Sequence, residues 1–328
     1  MARKYPDLND LRLCVDRPIS EAARMDAAVL AMSENAENEP PPLVIRPGQV
    51  IGPAEIAVFA TKKWANGRKV GVKFLDGTKT QKAKTQKYAE MWEQFANVNF
   101  DFNAGAKAEI RISFKEKGSW SALGTDCLVT SAFPKTKPTM NYGWLKDDSN
   151  EQEWRRVVLH EFGHALGAIH EHQNPSGGIK WNLKEVYRVF SGPPNNWTKQ
   201  QIDFNIVQKY SLDQLNASTY DKNSIMLYAF PGSLIVGGVA TKNNTDLSTM
   251  DQEFIASLYP KVSEPKVSKP KAAASPRLRT RGPLVAGMLD LAGAAPAAAP
   301  AAVMAEKPRE VKGSALSGIQ KRLQSLLR

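Results

Sequence analysis

The chain has 328 residues, 42% of them apolar and 23% charged, with two cysteines. That balance supports a buried core and excludes a wholly disordered chain. No run approaches the roughly 20 apolar residues that cross a bilayer, and two cysteines are too few for a disulfide-stapled scaffold. The net charge of +11 is concentrated in residues 261–328, which hold 13 Lys/Arg against 4 Asp/Glu; residues 1–260 are left at +2. The main domain therefore carries no electrostatic signature of nucleic-acid binding.

In chain order, the stretch MARKYPDLNDLRLC scatters charges where a signal peptide needs an apolar block. Ser20 is placed to cap a helix reaching about Met32. Pro40-Pro41-Pro42 and Pro47-Gly48 then make a stiff break, so residues 1–52 read as an N-terminal appendage with the character of a pro-segment. Pro53 to Trp64 suits a helix that Gly67 stops. Val70, Val72 and Phe74 alternate as a strand ending at Asp76-Gly77. Tyr88, Met91, Trp92 and Phe95 mark one helix face. Val98/Phe100/Phe102 and Ile110/Ile112/Phe114 alternate again as strands. Residues 53–260 thus form one compact domain. From 261 to 328 follows a basic, Ala/Pro-rich tail with the composition of a disordered extension. Leu316, Ile319, Leu323 and Leu326 close it at helical spacing. That pattern suits a short amphipathic helix on an anionic membrane or in a partner's groove; a solvated, fraying tail is the alternative. Cys14 and Cys127 leave two arrangements open, one bridge or two independent buried thiols.

All four histidines fall within His160 to His172, in HEFGHALGAIHEH. Upstream, Trp154, Val157, Val158 and Phe162 give this segment an apolar helical face. On a helix, His160 and His164 stand about 40° and one turn apart, so both imidazoles reach one metal ion. Glu161 lies beside that ion rather than on it. On a continuous helix His170 would point about 240° away from His164. Gly167 resolves this, because a glycine adopts positive φ and lets the chain turn back. Three imidazoles and one open position describe a catalytic zinc site rather than a closed structural one.

These residues resemble the metzincin signature H-E-x-x-H-x-x-G-x-x-H, and Glu171-His172 after His170 resembles its astacin branch. Ser224-Ile225-Met226-Leu227-Tyr228 is similar to the astacin Met-turn. The resemblance implies that Met226 underlies the metal, and that Tyr228 is a further zinc ligand able to swing away and support the reaction intermediate. Ser119-Trp120-Ser121 with Gly124 resembles the family's CWS-x-x-G region. By the same resemblance Thr139 to Leu145 is the edge strand on which substrate lies, with Thr139, Met140, Asn141, Tyr142 and Gly143 at its centre. Three departures stand out: the family's disulfide cysteines are missing, its F-x-G-D motif is missing, and Leu227 replaces a histidine. They are similar to a disulfide-free bacterial or fungal branch. Cys14 in Cys14-Val15-Asp16-Arg17-Pro18 leaves two readings open, a latency switch whose thiolate fills zinc's open position and an ordinary cysteine of the N-terminal region.

The expected fold is α+β, a two-lobed metzincin-like zincin. It has a mixed, twisted sheet with an active-site helix, and an irregular C-terminal lobe after Gly167. The expected activity is hydrolysis of peptide bonds in a protein or peptide substrate by a monomer with one catalytic Zn²⁺ and Glu161 as general base. The alternative is a non-catalytic, zinc-containing peptide-binding protein of the same fold. Export by a non-classical route and a cytoplasmic role both stay open.

Overall fold

The computed structural model describes residues 11–15, 17–40, 61–193, 195–209 and 219–261. The alternating apolar segments form a five-stranded sheet in the order β2-β1-β3-β5-β4. Its strands are β1 (Lys69–Phe74), β2 (Asn99–Asp101), β3 (Ile110–Ser113), β4 (Ser119–Ser121) and β5 (Met140–Tyr142). β2, β1, β3 and β5 are mutually parallel, and β4 alone runs antiparallel, against β5. Parallel neighbours need a crossover, and β1 reaches β2 through α2 (Lys79–Ala89). Thr78 and Gln81 close a reciprocal capping box at the start of α2.

Thr139 to Gly143 was expected at the sheet edge and does not lie there. β5 is flanked on both sides, with Met140 opposite Ile112 of β3 and also opposite Ser121 of β4. The chain doubles back at Glu116–Gly118 and lays β4 outside β5, so the outer strand is Ser119–Ser121. Alternation in one segment shows that a strand forms but not which strand flanks it.

α3 (Glu151–Ala165) begins at Asn150, whose side chain accepts from Gln152 N–H, and carries Glu151 and Glu153 in its first turn, where the helix dipole favours acids. Its buried face of Trp154, Val158, Leu159 and Phe162 packs on the sheet, and Phe162 meets Phe100 of β2 edge-on with centroids 4.8 Å apart. The expected helix face through Phe95 divides: α2 stops at Ala89, and Trp92–Gln94 is a 3-10 turn whose Trp92 Nε1–H donates to Leu159 O at 3.0 Å.

The helix expected from Pro53 to Trp64 falls largely outside the described residues, and 61–64 are not helical. Trp64 instead anchors the end of α3: its Nε1–H donates to Ala165 O at 2.8 Å, and its backbone N–H to the Tyr259 hydroxyl at 3.1 Å. A 3-10 turn at Glu21–Ala23 leads into α1 (Arg24–Glu34), with Ser20 at the cap position but making no side-chain cap bond. Leu11, Leu13 and Cys14 are buried in the same apolar cluster as α3, so this part of the N-terminal region packs into the core rather than beside it. Cys14 and Cys127 are both buried and are not joined by a disulfide. Beyond Gly167 lie α4 (Leu183–Ser191), α5 (Lys199–Ile202) and α6 (Thr249–Leu258). No helix among the described residues is long and apolar enough to cross a membrane. The tail from 262 onward, with its expected terminal helix, lies outside the described residues.

Candidate metal centre

Gly167 ends α3 at φ +94°, where a side chain would be strained, and its N–H donates to His164 O at 2.8 Å. The chain then folds back and Ala168 N–H reaches Gly163 O at 2.9 Å. This bend carries His170 to the other two rings. His164 Nε2 lies 3.2 Å from His160 Nε2 and 3.0 Å from His170 Nε2, and all three residues are at most 3% exposed.

The donor set fits zinc. Nitrogens about 2.0–2.1 Å from a tetrahedral ion stand about 3.3 Å from each other, close to these separations. The distal ring nitrogens are held by backbone carbonyls: His160 Nδ1–H donates to Ile225 O at 2.9 Å and His164 Nδ1–H to Ala168 O at 2.8 Å. A carbonyl only accepts, so in the neutral rings both Nε2 atoms present lone pairs to one point. Lone pairs so close repel unless a cation stands among them. Burial, then His164 and His170, holds the His160 pKa well below its ordinary 6.5, which keeps a ligand-competent neutral ring.

Cys14 completes the cluster: its Sγ and the three imidazole nitrogens lie within 4.8 Å of one another, all buried. The thiol donates to Glu161 Oε2 at 3.1 Å. The Tyr228 hydroxyl donates to Cys14 O at 2.9 Å and also contacts His170 Nε2. Ser224 to Tyr228 forms a tight turn held by Asp251, whose carboxylate accepts from Ser224 Oγ at 2.6 Å and Ile225 N–H at 2.8 Å. Met226 Sδ fills the space where Gly163 lacks a side chain: a Cβ there would meet it at 2.5 Å.

The Matrixin peptidase family matches residues 72–179. A solved structure of myroilysin is 41% identical to this chain over 61% of its length and 96% of that structure's, with a TM-score of 0.58. The chain is a metzincin zinc metalloendopeptidase. A second myroilysin structure, 34% identical, covers 76% of this chain and 100% of its own at a TM-score of 0.49. Serralysin B of Dickeya chrysanthemi is 26% identical over 132 residues, a stretch spanning 27% of that protein.

In this metzincin the structure brings together His160, His164, His170, Glu161, Met226 and Tyr228. Met140 and Tyr142 are buried within the sheet, away from its outer edge. Glu171 accepts from Asp221 N–H at 2.7 Å and Asn174 Nδ2–H at 3.1 Å, and burial raises its carboxyl pKa to about 7. The carbonyl acceptors of Ile225 and Ala168 left no mark in the sequence, because backbone atoms look alike at every position. Glu116 also went unassigned, and Arg17 and Trp120 were named only within their motifs; the Arg17–Glu116 charge pair spans 99 residues.

Proposed function

We propose that this chain is a latent endopeptidase in which Glu161 is the general base and Cys14 blocks the site in the intact protein. One observation carries the reading: three imidazole nitrogens and a thiol converge on one buried point, and that thiol donates to the Glu161 carboxylate. His160, His164 and His170 would hold the zinc ion, which supplies Lewis acidity, polarising a peptide carbonyl and bringing the pKa of bound water from 15.7 to about 7. The Cys14 sulfur, within hydrogen-bond reach of Glu161 Oε2, would take the place of the attacking water in the intact chain. Glu161 accepts the water's proton and passes it to the leaving amine. Tyr228, with its hydroxyl beside His170 Nε2, donates to the developing oxyanion. Met226 supports the floor from beneath Gly163.

Residues 1–52 act as the pro-segment, and their displacement opens the site. The substrate lies extended on β4, the strand whose Ser119 carbonyl already accepts from Val15 N–H at 3.2 Å. Within the metzincins, Glu171 after the third histidine and Tyr228 after Met226 favour an astacin-like site, set on a chain whose matching family is Matrixin. The non-catalytic alternative is disfavoured because the three ligands and the base are all in place.

The test uses the full-length Cys14→Ala chain with and without Glu161→Gln. Glu161→Gln should keep one zinc per chain and lose cleavage by roughly 10²–10⁴-fold, the usual weight of a general base. Tyr228→Phe in the same background should lower kcat and leave KM almost unmoved. A Glu161→Gln chain that still cleaves at the parent rate removes Glu161 from the mechanism.

A further inference from the structure

Cys14, Val15 and Arg17 lie between the metal cluster and the outer strand of the sheet. Cys14 belongs to the cluster, and Val15 N–H donates to Ser119 O at 3.2 Å. The Arg17 guanidinium lies 3.7 Å from the Trp120 ring centroid and 3.2 Å from Glu116 Oε2. Arg17 thus reaches to both sides of Ser119, to Trp120 after it and to Glu116 before it.

The platform under Arg17 belongs to the sheet. Asn141 Nδ2 donates to Glu116 O at 3.0 Å and to Gly118 O at 2.6 Å, and Gly143 N–H donates to Gly118 O at 2.9 Å. A Cβ at Gly143 would stand 2.2 Å from Glu116 O, so only glycine lets the turn approach so closely. Trp120 is 1% exposed with the segment in place. Beside it is a cavity of about 450 Å³ that Arg17, Trp120, Glu116, Ser131, Pro134 and Lys137 help to line.

We propose that Trp120 and Glu116 form a substrate subsite for a basic side chain, Arg or Lys, three residues C-terminal to the residue facing the metal, and that Arg17 occupies it in the intact chain. The proposal rests on the peptidase reading above and adds the specificity of that site. An aromatic face with a carboxylate at its rim attracts a guanidinium through the ring quadrupole and through charge together. A peptide lying on β4 in the sense of residues 14 to 17 sets one side chain on that face. Lys137 lines the same cavity, so the attraction comes from the Trp120–Glu116 pair and not from a generally acidic hollow. An acidic side chain there meets Glu116 and is repelled.

The experiment uses full-length Cys14→Ala/Arg17→Ala, in which the native occupant has lost its guanidinium. Two peptide sets carry Arg, Lys, Ala or Glu at the third or the fourth residue after the cut, the two positions that correspond to the metal-facing residue lying on either side of the scissile bond. In one set, kcat/KM should run Arg above Lys above Ala above Glu, with Arg over Ala by roughly tenfold, the size of a cation–π contact with a flanking charge. Glu116→Lys in that background should bring Glu above Arg, with zinc content and thermal unfolding reporting the fold. An Arg-to-Ala ratio within about twofold of one in both sets overturns the subsite while leaving the peptidase standing, whatever the variant does. Failure to cut any peptide defeats the peptidase reading itself, and the subsite with it.

Discussion

Gly163→Ala sets two opposed effects against each other at the heart of the site. In an ordinary helix interior the change from Gly to Ala stabilises by about 0.5–1 kcal/mol, because alanine loses less backbone entropy on folding. Here the added Cβ would meet Met226 Sδ at 2.5 Å, Trp92 Cζ2 at 3.3 Å and Met226 Cε at 3.4 Å. Met226 is 3% exposed and Trp92 2%, so neither side chain can yield into solvent. Overpacking of such a core costs about 1–3 kcal/mol. The clash wins, and the net loss is about 1–2 kcal/mol. For a domain of this size that lowers Tm by about 2–8 °C in a calorimetric scan of the metal-free protein. A double-mutant cycle isolates the contact: adding Met226→Ala removes the clashing sulfur, so the pair should lose about 1 kcal/mol less than the two single changes summed. A Gly163→Ala protein more stable than wild type, or a cycle with no coupling, would refute the packing of Met226 beneath α3.

Two further outcomes follow from the same site. Full-length Cys14→Ala should cleave peptides at ~tenfold or more the rate of the unprocessed wild type, because the competent fraction no longer has to release a thiolate; equal rates would show that the sulfur does not block the site. Zinc should leave on acidification, since protons compete for three imidazoles. In the metal-free chain the folded His160 pKa lies below the ordinary 6.5, so its stabilising contribution is complete above that value and is lost as pH falls beneath it. Stability flat across that window, measured by denaturant titration, would contradict the burial of a neutral ring.

Much of the centre was legible because helical geometry is local. His160, His164 and Glu161 follow from a four-residue spacing, and the return of His170 from the one residue at 167 that tolerates φ +94°. Strands β1, β2 and β3 were equally legible, since alternation is a property of each segment. What the sequence withheld is pairing between distant segments. The flanking of β5 by β4 needs a reversal at Glu116–Gly118 that no residue pattern demands. The Cys14 thiol reaches Glu161 across 147 positions, and the Tyr228 hydroxyl reaches Cys14 O across 214. The helix expected to end at Trp64 fails at residues 61–64 because tertiary bonds win: Trp64 satisfies its polar groups on Tyr259 and Ala165 rather than within a helical turn.

X-ray absorption at the zinc edge of the full-length protein tests the convergence of the three rings most directly. One zinc per chain is expected, with three nitrogen neighbours at about 2.0–2.1 Å and one sulfur at about 2.3 Å. No bound zinc under stoichiometric supply, or a shell with fewer than three nitrogens, would contradict the account.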